Sequence, residues 1–156
     1  MDNLTAKGSG YSLDMISKIS VVVTQYNPLV ASSYLSTPAF LKSKKCIVNV
    51  KNYDNRCFEY AVLCGLHYTK DSKNLQRINF YKKFDKELNF DGIDFPVTLK
   101  DLKKFEKLNP LISVNVFSGE KFNDYHVLHL SGFPDRPNVV NLFLISADSG
   151  PGHYVT

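Results

Sequence analysis

Cys57-Phe58-Glu59-Tyr60-Ala61-Val62-Leu63-Cys64-Gly65-Leu66-His67 decides how this chain folds. Its side chains are apolar almost all the way round, the pattern of a helix buried in the middle of a domain. Cys57 stands at the N-terminus of that helix. Just upstream, Lys51-Asn52-Tyr53-Asp54-Asn55-Arg56 is a turn by composition, because Asn and Asp side chains hydrogen-bond nearby backbone. Before it, Cys46-Ile47-Val48-Asn49-Val50 reads as a short strand. Farther upstream, Ser12 is a candidate cap for a short helix to about Lys18, and Ile19 to Gln25 carries a β-branched cluster expected to form a strand. Asn27-Pro28 breaks that strand, and the stretch from there to Phe40 reads as an irregular loop.

Downstream of the helix, Asp71 to Leu88 reads as a polar surface helix with Leu75, Ile78, Phe80, Tyr81 and Phe84 on a ragged apolar face. Phe95-Pro96-Val97 is extended. Thr98 and Asp101 resemble a capping pair ahead of a helix through Leu102, Phe105 and Leu108. The last third changes character. Leu111 to Phe117, Tyr125 to Leu130 and Val139 to Ile145 read as strands, separated by the turn signals Ser118-Gly119 and Pro134-Asp135-Arg136-Pro137. A final strand begins at His153, after Gly150-Pro151-Gly152. Helices first and strands afterwards give an α+β order, with the buried helix packed on a C-terminal antiparallel sheet.

Composition bounds the function. At 156 residues the chain is expected to be one domain, residues 11–156, behind a flexible segment, residues 1–10, that contains Gly8-Ser9-Gly10. A hydrophobic content of 44% supplies a core and excludes a disordered adaptor. No apolar run approaches the length that crosses a bilayer, and the first residues lack a signal-peptide pattern, so no membrane partner and an intracellular location, cytoplasmic or nuclear, are expected. Three cysteines, Cys46, Cys57 and Cys64, are too few for a disulfide scaffold and fit reduced thiols. The net charge of +4 permits an acidic partner, nucleic acid included, without requiring one. The lysines at 42, 44, 45, 82, 83, 103 and 104 read as solvated faces, since no aromatic platform is interleaved with them. Cys57, Cys64, His67, His126 and His129 offer metal-ligand chemistry, but their spacing fits no closed zinc site. No metal and no cofactor are expected.

A thiol in the first turn of a buried helix meets the positive end of the helix dipole, which favours the thiolate. Cys57 is placed for that, and Asn52, Asp54 and Asn55 supply polar groups near an oxyanion formed on attack at a carbonyl. His153 lies in the sheet half of the chain, and packing the sheet on the helix end would bring imidazole to thiol. Two readings stay open at this point. Cys57 is either a nucleophile or a small apolar core residue, and His153 either a base or a structural histidine.

Asn52-Tyr53-Asp54-Asn55-Arg56-Cys57-Phe58 resembles the cysteine box of the ubiquitin-specific proteases, N-x-G-N-T-C-aromatic, and Gly152-His153-Tyr154 resembles the G-H-Y of their histidine box. Both families of motif belong to the papain-like superfamily, whose ovarian-tumour branch carries a similar D-G-N-C. The resemblance implies a papain-like fold for residues 11–156 and a thiol peptidase, a deubiquitinase acting at the C-terminal tail of ubiquitin or a ubiquitin-like modifier. It implies Cys57 as nucleophile, His153 as general base and Asn52 as oxyanion donor, with Asp54, Asn55, Gly152 and Tyr154 at the substrate. Asp54 and Arg56 replace the Gly and Thr of the pattern. The pattern's third member, an Asp or Asn after the histidine, is expected beyond Thr156; otherwise Asp148 substitutes for it, the cysteine and histidine act unassisted, or the chain is a truncated and inactive copy.

A second resemblance runs from Gly8 to Tyr154. Gly8-Ser9-Gly10, Tyr26-Asn27-Pro28-Leu29, Asp54-Asn55-Arg56-Cys57-Phe58, Phe95-Pro96, Lys104-Phe105-Glu106-Lys107-Leu108-Asn109 and Val139 to Ile145 are similar to a module in open reading frames of large invertebrate DNA transposons. It implies a transposon origin, and with it an alternative function as a non-catalytic, protease-like module that binds protein or DNA.

Overall fold

The computed structural model describes residues 34–69, 73–121, 123–146 and 152–156. The expected flexible segment, the helix from Ser12, the strand from Ile19, and Asp148 lie outside the described residues. The elements run α1 (Ala39–Lys42), α2 (Cys57–His67), two 3-10 turns (Ile78–Phe80 and Lys82–Phe84), α3 (Leu102–Leu108), β1 (Ile112–Gly119), β2 (Tyr125–His129), β3 (Asn138–Ile145) and β4 (His153–Val155). This is a mixed α+β fold. No helix among the described residues is long and apolar enough to cross a membrane.

The four strands form one sheet in the order β2-β1-β3-β4. The expectation of an antiparallel sheet is corrected at its centre. β1 pairs antiparallel with β2, and β3 antiparallel with β4, but β1 and β3 run parallel, Val114 opposite Val140 and Val116 opposite Leu142. Burial is the physical reason. β2 is exposed along most of its length and belongs at an edge, whereas β3 ends in four consecutive buried residues, Leu142 to Ile145. Strands buried on both faces are stable in the middle of a sheet, so the chain crosses from the β2 edge to the far side of β1.

The sheet separates two apolar layers. On one face α2 and α3 pack against Val114, Val116, Val140, Leu142, Leu144 and Tyr154 in the larger cluster. On the other, Leu41 of α1 and the segment around Ile47 cover Phe143, Ile145 and Val155. Gly65 permits the tight seat of α2 on β3, because a Cβ there would stand 2.7 Å from Val140 Cγ1.

Residues 46–50 are not a sheet strand, although Val48 and Thr156 exchange both backbone hydrogen bonds and so lay this segment beside the end of β4. A long helix is expected from Asp71 to Leu88; in its described part, residues 73–88, the two 3-10 turns stand instead. Tyr81, almost fully buried, donates its hydroxyl to the Leu75 carbonyl at 2.6 Å, and Lys51 forms an isolated bridge with Arg77. Those anchors fold the segment against α2 instead of letting it run straight. Thr98 and Asp101 do pair: the Asp101 carboxylate accepts from both the Thr98 N–H and its hydroxyl, at 2.9 and 2.6 Å.

Candidate active site

The turn ahead of α2 is organised by Asp54. Its carboxylate accepts from the Arg56 N–H at 3.1 Å, an Asx-type turn, and also from the Asn52 amide at 3.1 Å and the Tyr60 hydroxyl at 2.9 Å. Burial alone would raise its pKa, but these donors and the Arg56 charge hold it below the ordinary value. Asn52 is fully buried, and its amide also donates to the Asp54 carbonyl at 2.6 Å. Arg56 pairs with Glu59 at 2.8 Å and lies over the Phe95 ring at 4.7 Å, while Asn55 is exposed on the turn. Cys57 is thereby fixed as the first residue of α2.

Cys57 is 1% exposed. Burial pushes its thiol up to about 11, against the opposing pull of the backbone N–H groups of Tyr154, Phe58 and Cys57 itself. The helix N-terminus therefore acts on the thiol in the expected direction, but desolvation outweighs it and the resting group is a neutral thiol. The contact with Tyr154 joins the two sequence boxes in space. The Tyr154 ring packs edge-on to Phe58, centroids 5.3 Å apart, so β4 lies against the first turn of α2. Side chains alternate along a strand, and His153, the preceding residue, leaves β4 on the opposite face, toward Asn49 and Tyr34.

Gly152 is required by close packing, since a Cβ would stand 2.8 Å from the Ile145 carbonyl oxygen. His153 is completely buried. Its Nε2 lies 2.9 Å from Asn49 Oδ1, and the Tyr34 ring meets it edge-on with centroids 5.8 Å apart. Asn49 is itself held: its amide nitrogen donates to the Leu35 carbonyl at 2.8 Å and to Thr37 Oγ1 at 2.9 Å. With both amide hydrogens so committed, Asn49 presents its oxygen to the ring. In neutral His153 the proton is then on Nε2, and Nδ1 carries the lone pair.

The sequence does not announce that Asn49 meets His153. A polar partner for the histidine is expected after it in the chain, whereas Asn49 precedes the cysteine. Its signal was a lone Asn inside the apolar run Ile47-Val48-Asn49-Val50, a polar side chain where burial demands a partner. Cys64, 0% exposed, is a core residue. Among the described residues no group of three or more His, Cys, Asp or Glu side chains is placed to hold a metal ion. The chain matches no family model, no curated protein and no solved structure.

Proposed function

We propose that this protein is a papain-like cysteine hydrolase, a deubiquitinase that cleaves after the C-terminal tail of ubiquitin or a ubiquitin-like modifier. The observation that carries the reading is the Asn49-His153 pair beside the β4 backbone that meets Cys57, with Asn49 locked so that the histidine keeps its lone pair on Nδ1. The ubiquitin assignment rests on the likeness of the two boxes.

In this reaction Cys57 Sγ attacks the scissile carbonyl as its proton passes to His153 Nδ1, a step that requires the imidazole, which turns to Asn49 on the opposite face of β4 from the Tyr154 ring, to close on the thiol. The negative oxygen is met by the Cys57 N–H and by the Asn52 amide, which must give up a hydrogen bond to Asp54 to reach it. Collapse breaks the C–N bond, His153 returns the proton to the leaving amine, and a thioester remains. Water then attacks the thioester, yielding a carboxylic acid and the regenerated thiol. Asp54 shapes the loop and the exposed Asn55 borders the substrate, whereas Tyr154 is buried against Phe58 and supports the site from below. A thiol that is neutral at rest makes the histidine essential, because the nucleophile is created only as the proton leaves.

Release of a fluorogenic amine from the C-terminus of ubiquitin tests this. The wild type turns over, and Cys57→Ala abolishes turnover with an unchanged circular dichroism spectrum; full activity in Cys57→Ala would end the proposal. The buried, neutral Cys57 also favours a second reading, a non-catalytic module with a protease-like fold. That reading predicts no turnover by the wild type either.

A further inference from the structure

A cavity of about 450 Å³ opens beside the histidine, on the side away from α2. Tyr34 and Asn49 line it, and these are two residues that touch His153. Lys42, Lys45 and Lys51 line it as well, and Thr37 joins them. The described lining contains no carboxylate, and none of these three lysines is ion-paired among the described residues. Lys45 is held at φ 52°, a left-handed conformation uncommon for a side-chain-bearing residue, where the chain turns back after α1. Three unpaired cations around one concavity focus a positive potential inside it.

On the proposed reaction His153 returns its proton to the leaving amine, so the leaving segment of the substrate lies on the histidine side. We propose that this cavity receives a carboxylate side chain from that leaving segment, and that Lys42, Lys45 and Lys51 set a preference for acidic residues after the scissile bond. The inference rests on the hydrolase reading for its position, but the binding it requires is independent of turnover. The cavity suits one side chain or a short acidic segment. A nucleic-acid strand would need a longer basic track with several stacking rings, and Tyr34 is the single aromatic residue in the described lining.

The test uses the Cys57→Ala protein and two short peptides identical except that glutamates in one are glutamines in the other. The glutamate peptide is expected to bind about tenfold more tightly at low salt, with amide shifts at Thr37 and Asn49 in NMR spectra. The triple variant Lys42→Gln, Lys45→Gln, Lys51→Gln, changed at three exposed positions, is expected to erase the preference while keeping the wild-type melting curve. Equal affinity for the two peptides, a preference that survives the triple variant, or displacement of the peptide by a single-stranded oligonucleotide at lower concentration would overturn the proposal. A failed nucleophile reads differently from a failed cavity. The first leaves the glutamate preference intact with no ubiquitin hydrolysis, and the second gives hydrolysis with no preference.

Discussion

At the scale of single residues, Cys57 carries a signature that can be measured without substrate. Its thiol ionises at about 11 in the folded protein, against an ordinary value of 9.0. A raised acid pKa means that the folded state keeps a proton the unfolded chain loses. The resulting stability is fully present below pH 9.0 and is lost as pH rises toward about 11. The loss is on the order of 2 kcal/mol. Urea unfolding of wild type and Cys57→Ser across this range should show the wild type losing ground to the variant as pH rises. A constant difference would contradict the burial of the thiol.

Asn49 makes a separate prediction. Asn49→Ala frees the imidazole to rotate and change tautomer, and is expected to lower kcat about tenfold or more, with a smaller effect on KM. Asn49→Asp places a carboxylate against the ring and favours its charged form, so the acid limb of the rate profile should move to higher pH. An unmoved limb would show that Asn49 does not position the base. These residues differ in how far the sequence announced them. Cys57 and His153 stand out in the sequence because each sits in a short motif, whereas Asn49 meets His153 through a contact across the fold and leaves only an odd polar residue in an apolar run. The desolvation of Cys57 is legible only as one of two open readings, the small apolar core residue, because its extent depends on β4 closing over the helix end.

At the scale of elements, the approach of α2 to the sheet is governed by Gly65 and Val140. Gly65→Ala should destabilise the protein by about 1–3 kcal/mol, because the new methyl group meets a valine that belongs to a central strand. Adding Val140→Ala should recover part of that loss, and additive losses in the double variant would contradict the close seat. The same elements show why the sequence could be read where it could. α2, α3 and the four strands follow their apolar patterns closely, with boundaries within two residues of expectation at nearly every end. Periodicity says nothing of neighbour order, and the parallel pairing of β1 with β3 is a choice between edges made by burial. Residues 71–88 failed for another reason: their apolar positions fit no single 3.6-residue face, and tertiary anchors such as Tyr81 override the local helical preference.

At the scale of the whole molecule, the chain brings distant segments to one place. The turn at 51–56 presents the cysteine, the strand after residue 152 presents the histidine, and residues 34–49 supply the asparagine and one wall of the basic cavity. Two apolar layers hold these pieces: the larger fixes α2 on the sheet, and the smaller ties α1 and the asparagine segment to its opposite face. Arg136 adds a clasp far from the site, donating to the carbonyls of Glu106 and Ile112 at 2.6 and 2.7 Å. On the proposed hydrolase reading the site depends on both faces of one sheet, so weakening the smaller layer should cost activity before it costs the fold. Phe143→Ala, at the centre of that layer, is expected to reduce turnover while the secondary structure persists. Parallel loss of activity and circular dichroism signal would contradict that separation.

The central claim, that Cys57 is a nucleophile served by His153, is tested most directly by intact mass spectrometry after incubation with ubiquitin carrying a thiol-reactive group at its C-terminus. The exposed Cys46 and buried Cys64 serve as internal references when the adduct is mapped. One ubiquitin adduct, mapped to Cys57 in the wild type, absent in Cys57→Ala and slowed in His153→Ala, is the predicted result. No adduct on the wild type, or an adduct carried on Cys46 that persists in Cys57→Ala, would contradict it.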